Sequence, residues 1–180
     1  NGGLKRDCKS DGTLHPSRKT ATGEGMNFAD FCQDPRAAKT AMLLPAHVLC
    51  LRLYTTAAYK SLNNPLRGLD ADFQPRPLSA EQPHPLPITV HLLTEGIKQL
   101  RAVEGQSATA NEKVVLWRGM RNVEVPSQFV KDGGAEKAAM STTRDMKIAV
   151  MYSSSQCSVL LKLVTTSFRE RGADLNFLSA

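Results

Sequence analysis

Apolar residues change their spacing along this chain. Up to about residue 103 they recur every three to four positions, and beyond residue 113 they gather into short runs. The first pattern predicts helices that bury one face, the second predicts strands. Residues 46–62 mix Val48, Leu49, Leu51, Leu53 and Tyr54 with Ala57, Ala58 and Leu62. Pro45 is suited to the first turn of that helix, and Asn63-Asn64-Pro65 is its expected stop. A second helix is predicted over residues 88–103, where Val90, Leu93, Ile97 and Leu100 form a stripe between Pro87 and Gly105. A shorter helix fits within residues 28–44, with Asp34-Pro35 as a start signal.

The strand-like runs are residues 113–118, 137–142, 158–165 and 175–178. Residues 126–132 predict a helical turn that Gly133-Gly134 ends, and Thr143-Arg144-Asp145 predicts the cap of a helix reaching Tyr152. Helices first and strands second give an α+β class: an N-terminal helical lobe followed by a mostly antiparallel β-core. The expected domains are a flexible basic arm (1–27), a helical lobe (28–108) with a proline-rich loop (65–87), and the strand region (109–180). The fourth run, Asn176-Phe177-Leu178-Ser179-Ala180, stops in mid-strand, so the β-core is expected to be a C-terminally truncated fragment.

Composition narrows the class without choosing a function. With 41% hydrophobic and 22% charged residues the chain suits a soluble globular protein. It carries neither a membrane-length apolar stretch nor a signal-peptide pattern, but it does not begin with Met, so the N-terminus is expected to be incomplete and the compartment, secretion included, stays open. The net charge of +6 favours anionic partners. Lys5, Arg6, Lys9, Arg18 and Lys19 contribute to it from a segment without interleaved aromatics, which argues against nucleic-acid binding. Cys8, Cys32, Cys50 and Cys157 are scattered, as are His15, His47, His84 and His91. Neither a metal site nor an obligatory disulfide follows from them.

The chemistry worth attention lies in two runs, Val114-Val115-Leu116-Trp117-Arg118-Gly119-Met120 and Ala138-Ala139-Met140-Ser141-Thr142-Thr143. A guanidinium inside an apolar strand needs an anion or an opening to a cleft. Gly119 leaves room for something to approach the backbone. An ordinary ion-paired strand-end arginine, a turn glycine and a helix cap at Thr143 and Asp145 are the alternative readings of these residues.

The order Trp117-Arg118-Gly119, then Met140-Ser141-Thr142-Thr143, then Arg171-Gly172-Ala173-Asp174-Leu175-Asn176-Phe177-Leu178-Ser179-Ala180 resembles the mono-ADP-ribosyltransferases of the arginine–serine–glutamate class. The resemblance covers mainly residues 110–180, and the preceding helices are similar to the lobe that some members carry. It implies a β-core of the ADP-ribosyltransferase type, NAD as substrate, and a protein acceptor with an exposed arginine. Arg118 would hold NAD through phosphate and ribose, as a planar fork of donors suits a pyrophosphate. Gly119 would meet the nicotinamide amide through its backbone. Ser141 would touch the nicotinamide ribose and orient a catalytic glutamate, with Thr142 and Thr143 completing a Ser-Thr-Ser-like motif. Thr143 departs from that motif by one methyl. Tyr152 falls near an aromatic that lines the nicotinamide pocket in related enzymes, with core packing as its alternative.

The class also carries a Glu-x-Glu whose last carboxylate stabilises the oxocarbenium-like sugar. Neither Glu124 nor Glu170 stands at that place, so this fragment is expected to bind NAD poorly and to catalyse little or nothing. A non-catalytic nucleotide- or protein-binding module that keeps the fold is the competing expectation.

Overall fold

The computed structural model describes residue 13, residues 16–70 and residues 72–179. Lys5, Arg6, Cys8, Lys9, His15 and Ala180, and most of the arm expected at residues 1–27, lie outside the described residues. The described chain is mixed α and β. It divides into two units, one formed by residues up to Ser107 together with those from Gly172 onward, the other by Ala108–Arg171.

In the helical unit, α1 (Phe28–Gln33) starts from a reciprocal cap: the Asn27 side chain accepts from the Asp30 amide and the Asp30 carboxylate accepts from the Asn27 amide. A π-helical turn, Arg36–Thr40, follows it and begins at the expected Asp34-Pro35 start signal, with Pro35 as its N-cap. In α2 (Pro45–Tyr54) the His47 ring takes the capping role, its Nδ1 accepting from the Leu44 amide at 3.3 Å. The predicted single helix over 46–62 breaks after Tyr54. Thr55 and Thr56 donate their hydroxyls to the carbonyls of Arg52 and Leu53, each at 2.8 Å, which diverts the acceptors that a continuing helix would use. The chain re-enters a helix at α3 (Tyr59–Leu66).

Asn63-Asn64-Pro65, the expected stop, lies inside α3 and is buried. The helix can hold it because Asn64 Nδ2 donates to the Asp70 carbonyl at 3.0 Å and the chain reverses just beyond, at Gly68 (φ 76°). The long helix α4 (Pro87–Glu104) forms where the stripe predicted it. It packs on α2 at Gly96, where an added Cβ would stand 2.9 Å from Leu51 Cδ1. Phe31, Val48, Leu51, Leu62, Leu93 and Leu100 fill the space between these helices.

One further sequence expectation fails in this unit. Residues 175–178 form no strand: the amides of Leu178 and Ser179 both donate to the Leu175 carbonyl, closing one turn. Phe177 and Leu178 are buried in the helical unit, because two large apolar side chains in succession find a ready core there. The end of the basic arm is also structured. Pro16–Arg18 form a single 3-10 turn, residues 18–26 form a hairpin with a Lys19↔Gly25 bridge, and Arg18 is buried.

In the second unit, β1 (Val114–Arg121) pairs antiparallel with β2 (Ser158–Thr165), with Trp117 opposite Lys162. Alternate residues Val159, Leu161 and Leu163 of β2 turn inward. Two short helices lie between the strands, α5 (Ser127–Asp132), which ends at Gly133 (φ 74°), and α6 (Met146–Ser153), which packs on β1. The run 137–142, expected as a strand, is none. Its alanines bring little strand propensity, and it leads to β1 through a single bridge, Trp117↔Thr143. The sheet of the described residues therefore has two strands rather than the expected four.

Candidate functional site

The backbone pairing of Trp117 with Thr143 builds the site. The Trp117 amide donates to the Thr143 carbonyl at 2.7 Å and the Thr143 amide donates back at 2.9 Å. This lays the segment 141–143 along the edge of β1 that faces away from β2. Residues i and i+2 of an extended strand direct their amide and carbonyl to the same side. The backbone of Gly119 therefore faces the edge on which Thr143 sits.

Arg118 reaches the same segment, its Nη1 donating to the Ser141 carbonyl at 2.9 Å. Its Nε is buried without a hydrogen-bond partner, and among the described residues no carboxylate pairs with it. The ordinary alternative, a strand-end arginine in a surface ion pair, is therefore not what the structure contains. A half-buried guanidinium with spare donors and no counter-charge suits an anion with several acceptor oxygens. The surrounding field favours it as well, since Ala108–Arg171 carries ten Lys and Arg against six Asp and Glu.

Gly119 has a packing reason of its own. A Cβ there would stand 1.8 Å from the Ala149 carbonyl oxygen and 2.8 Å from the Ser153 amide nitrogen. Both are backbone atoms of α6, so the helix rests directly on the strand at this residue. Thr143 likewise serves α6: its Oγ1 accepts from the Asp145 amide at 3.1 Å, and the Asp145 carboxylate accepts from the Lys147 amide at 2.8 Å. Ser141 and Thr142 are exposed. Tyr152, on α6, is 56% exposed, so core packing is not its role.

Glu170 and Glu124 are engaged in hydrogen bonds of their own. The Glu170 carboxylate accepts from the Thr166 amide at 2.6 Å and from the Thr166 hydroxyl at 3.2 Å. The backbone hydrogen bond holds it below the usual carboxylate range. Glu124 Oε1 accepts from Cys157 Sγ at 3.6 Å. Among the described residues no three His, Cys, Asp or Glu side chains converge on a point that a metal could occupy. None of the described helices is long and apolar enough to cross a membrane.

Sequence reasoning passed over two cations of this unit. Arg121 Nε donates to the Tyr152 carbonyl at 3.3 Å, tying the end of β1 to the end of α6. Lys162 lies 5.7 Å from the Trp117 ring centroid, on the cross-strand position. The strand alternation of residues 158–165 puts Lys162 on the face opposite Leu161 and Leu163, but its partner follows only from the register. Comparison with known proteins finds no matching family model, curated protein or solved structure.

Proposed function

We propose that residues 108–171 form the nucleotide-binding part of a mono-ADP-ribosyltransferase, a core of that type, which transfers ADP-ribose from NAD to a protein arginine and releases nicotinamide. The observation that carries the reading is Arg118, a guanidinium without a counter-charge beside the Ser141-Thr142-Thr143 segment. In this reading Arg118 takes the pyrophosphate and Gly119 offers its edge-facing backbone to the nicotinamide amide. Ser141 touches the ribose and orients the catalytic carboxylate, Thr142 and Thr143 shape the segment, and the exposed Tyr152 ring flanks the nicotinamide. The glycosidic bond to nicotinamide breaks as positive charge develops on the sugar, and the acceptor guanidine forms the new bond to the same carbon. A carboxylate must stabilise that charge. Glu124 and Glu170 are engaged elsewhere and do not supply it.

A non-catalytic module is supported by a separate observation. Gly119 and Thr143 both have structural work against α6, which accounts for them without any ligand. Ligand-observed NMR of the chain with NAD separates binding from its absence. The wild-type chain binds NAD, and Arg118→Ala weakens binding about tenfold or more, the loss of one charge-assisted contact. Wild-type protein without NAD binding overturns the reading. The full-length gene product, incubated with labelled NAD and a guanidino acceptor, tests the transfer; binding without transfer leaves the non-catalytic module.

A further inference from the structure

The single turn closed at Leu175 ends in a row of carbonyls that the turn itself does not satisfy. They are taken by two arginines far away in sequence. Arg18 Nη1 donates to the Phe177 carbonyl at 3.1 Å, and its Nη2 donates to the carbonyls of Asn176, at 2.8 Å, and of Ser179. Arg52 of α2 donates through Nη1 to the Leu178 carbonyl at 2.9 Å. Four successive carbonyls thus meet two guanidiniums, positive charge lying where the peptide dipoles of the turn point their negative ends.

Aromatic rings flank both guanidiniums, and a third arginine flanks the turn's own phenylalanine. Arg52 lies 3.7 Å and Arg18 5.8 Å from the centroid of Phe31, while Arg36 lies 4.3 Å from that of Phe177. The other end of the turn is fixed too: the Asp174 amide donates to Glu104 Oε1 at 3.0 Å, and the Asn176 amide to Asp174 Oδ1 at 2.8 Å.

Arg18 stands at the base of the 18–26 hairpin, whose rungs are the Met26 amide to the Arg18 carbonyl at 2.9 Å and the Thr20 amide to the Glu24 carbonyl at 2.8 Å. We infer that this hairpin is a latch. Arg18 at its base, helped by Arg52, keeps the turn at residues 175–179 closed, so that hairpin and turn open as one unit. The physical reason is the fork of Arg18: it spans three carbonyls of the turn, and no single one can let go without straining the other two. Removal of the hairpin, or loss of the Arg18 fork, would free residues 175–179 and draw Phe177 and Leu178 out of the core, while α2 and α4 stay packed on each other through Leu51 and Gly96. The latch uses none of the nucleotide-site residues Arg118, Gly119, Ser141, Thr142, Thr143 and Tyr152.

Amide hydrogen exchange on the whole chain tests it. In the wild-type protein the Met26 and Thr20 amides should show the same opening equilibrium as the Leu178 and Ser179 amides, to within about threefold, as members of one cooperative unit do. A difference of tenfold or more between hairpin and turn overturns the latch. In Arg18→Gln, the Leu178 and Ser179 amides should exchange at least tenfold faster while those of Leu93–Leu100 in α4 keep their rates. Unchanged exchange at Leu178 and Ser179, or equal acceleration throughout the helical unit, also overturns it. Arg18→Lys keeps the charge but loses the fork, and should resemble Arg18→Gln. The wild-type comparison decides the matter even where a variant fails to fold.

Discussion

Arg118 is where residue-level reasoning came furthest. An arginine inside an apolar run demands an explanation, and its missing counter-charge supplies one that a surface ion pair does not. A variant that keeps the charge but not the fork separates recognition from attraction. Arg118→Lys should lose most of the NAD affinity that Arg118→Ala loses, and titration by ligand-observed NMR compares them. The thiols are a second residue-scale case. Burial pushes the Cys50 thiol up, while Cys157 is exposed. Iodoacetamide near pH 8, followed by peptide mapping, should therefore modify Cys157 well before Cys50.

Asp34 gives a pH dependence with a definite sign. Its hydrogen bond with the Arg36 side chain holds its carboxyl below the usual value, and the pair closes at 2.6 Å. A carboxylate depressed in the folded state contributes stability above its unfolded value and loses it as pH falls through the lower, folded one. Acid unfolding of Asp34→Asn should accordingly show a shallower loss of stability at the acid end than wild type, read by circular dichroism. Arg36 is largely exposed, so the effect is small.

At the scale of elements, α6 and β1 meet without side chains between them at Gly119. Gly119→Ala drives a methyl into backbone that cannot step aside. We expect it to destabilise Ala108–Arg171 by about 3 kcal/mol, the upper end of overpacking costs, measured by chemical denaturation. Loss of NAD binding in that variant would say nothing about nicotinamide, which is why Arg118 carries the binding test. The elements that local pattern announced are present: α4 under its stripe, β2 under its alternation, α6 behind the Thr143 and Asp145 caps. The failures have local causes of another kind. Two threonine hydroxyls split the helix expected over 46–62, and the alanine-rich run 137–142 is followed by an isolated bridge, Trp117↔Thr143, in place of a ladder.

Across the whole molecule, burial is uneven. Of the fifteen buried apolar residues among those described, thirteen belong to the helical unit and two, Ala110 and Ala149, to Ala108–Arg171. Slow exchange should therefore concentrate in α2 and α4, with β1, β2 and α6 at least tenfold less protected, as amide exchange can read directly. By itself the sequence determined the helix-then-strand order and the Arg118-before-Ser141 arrangement, because periodicity and motif order are written in neighbouring residues. Only the tertiary structure decided that residues 172–179 belong with the helices, that Arg18 is buried, and that Gly119 carries a helix on its back. Each of those depends on contact between residues far apart in the chain, and no local pattern encodes which distant carbonyl or helix a residue will meet.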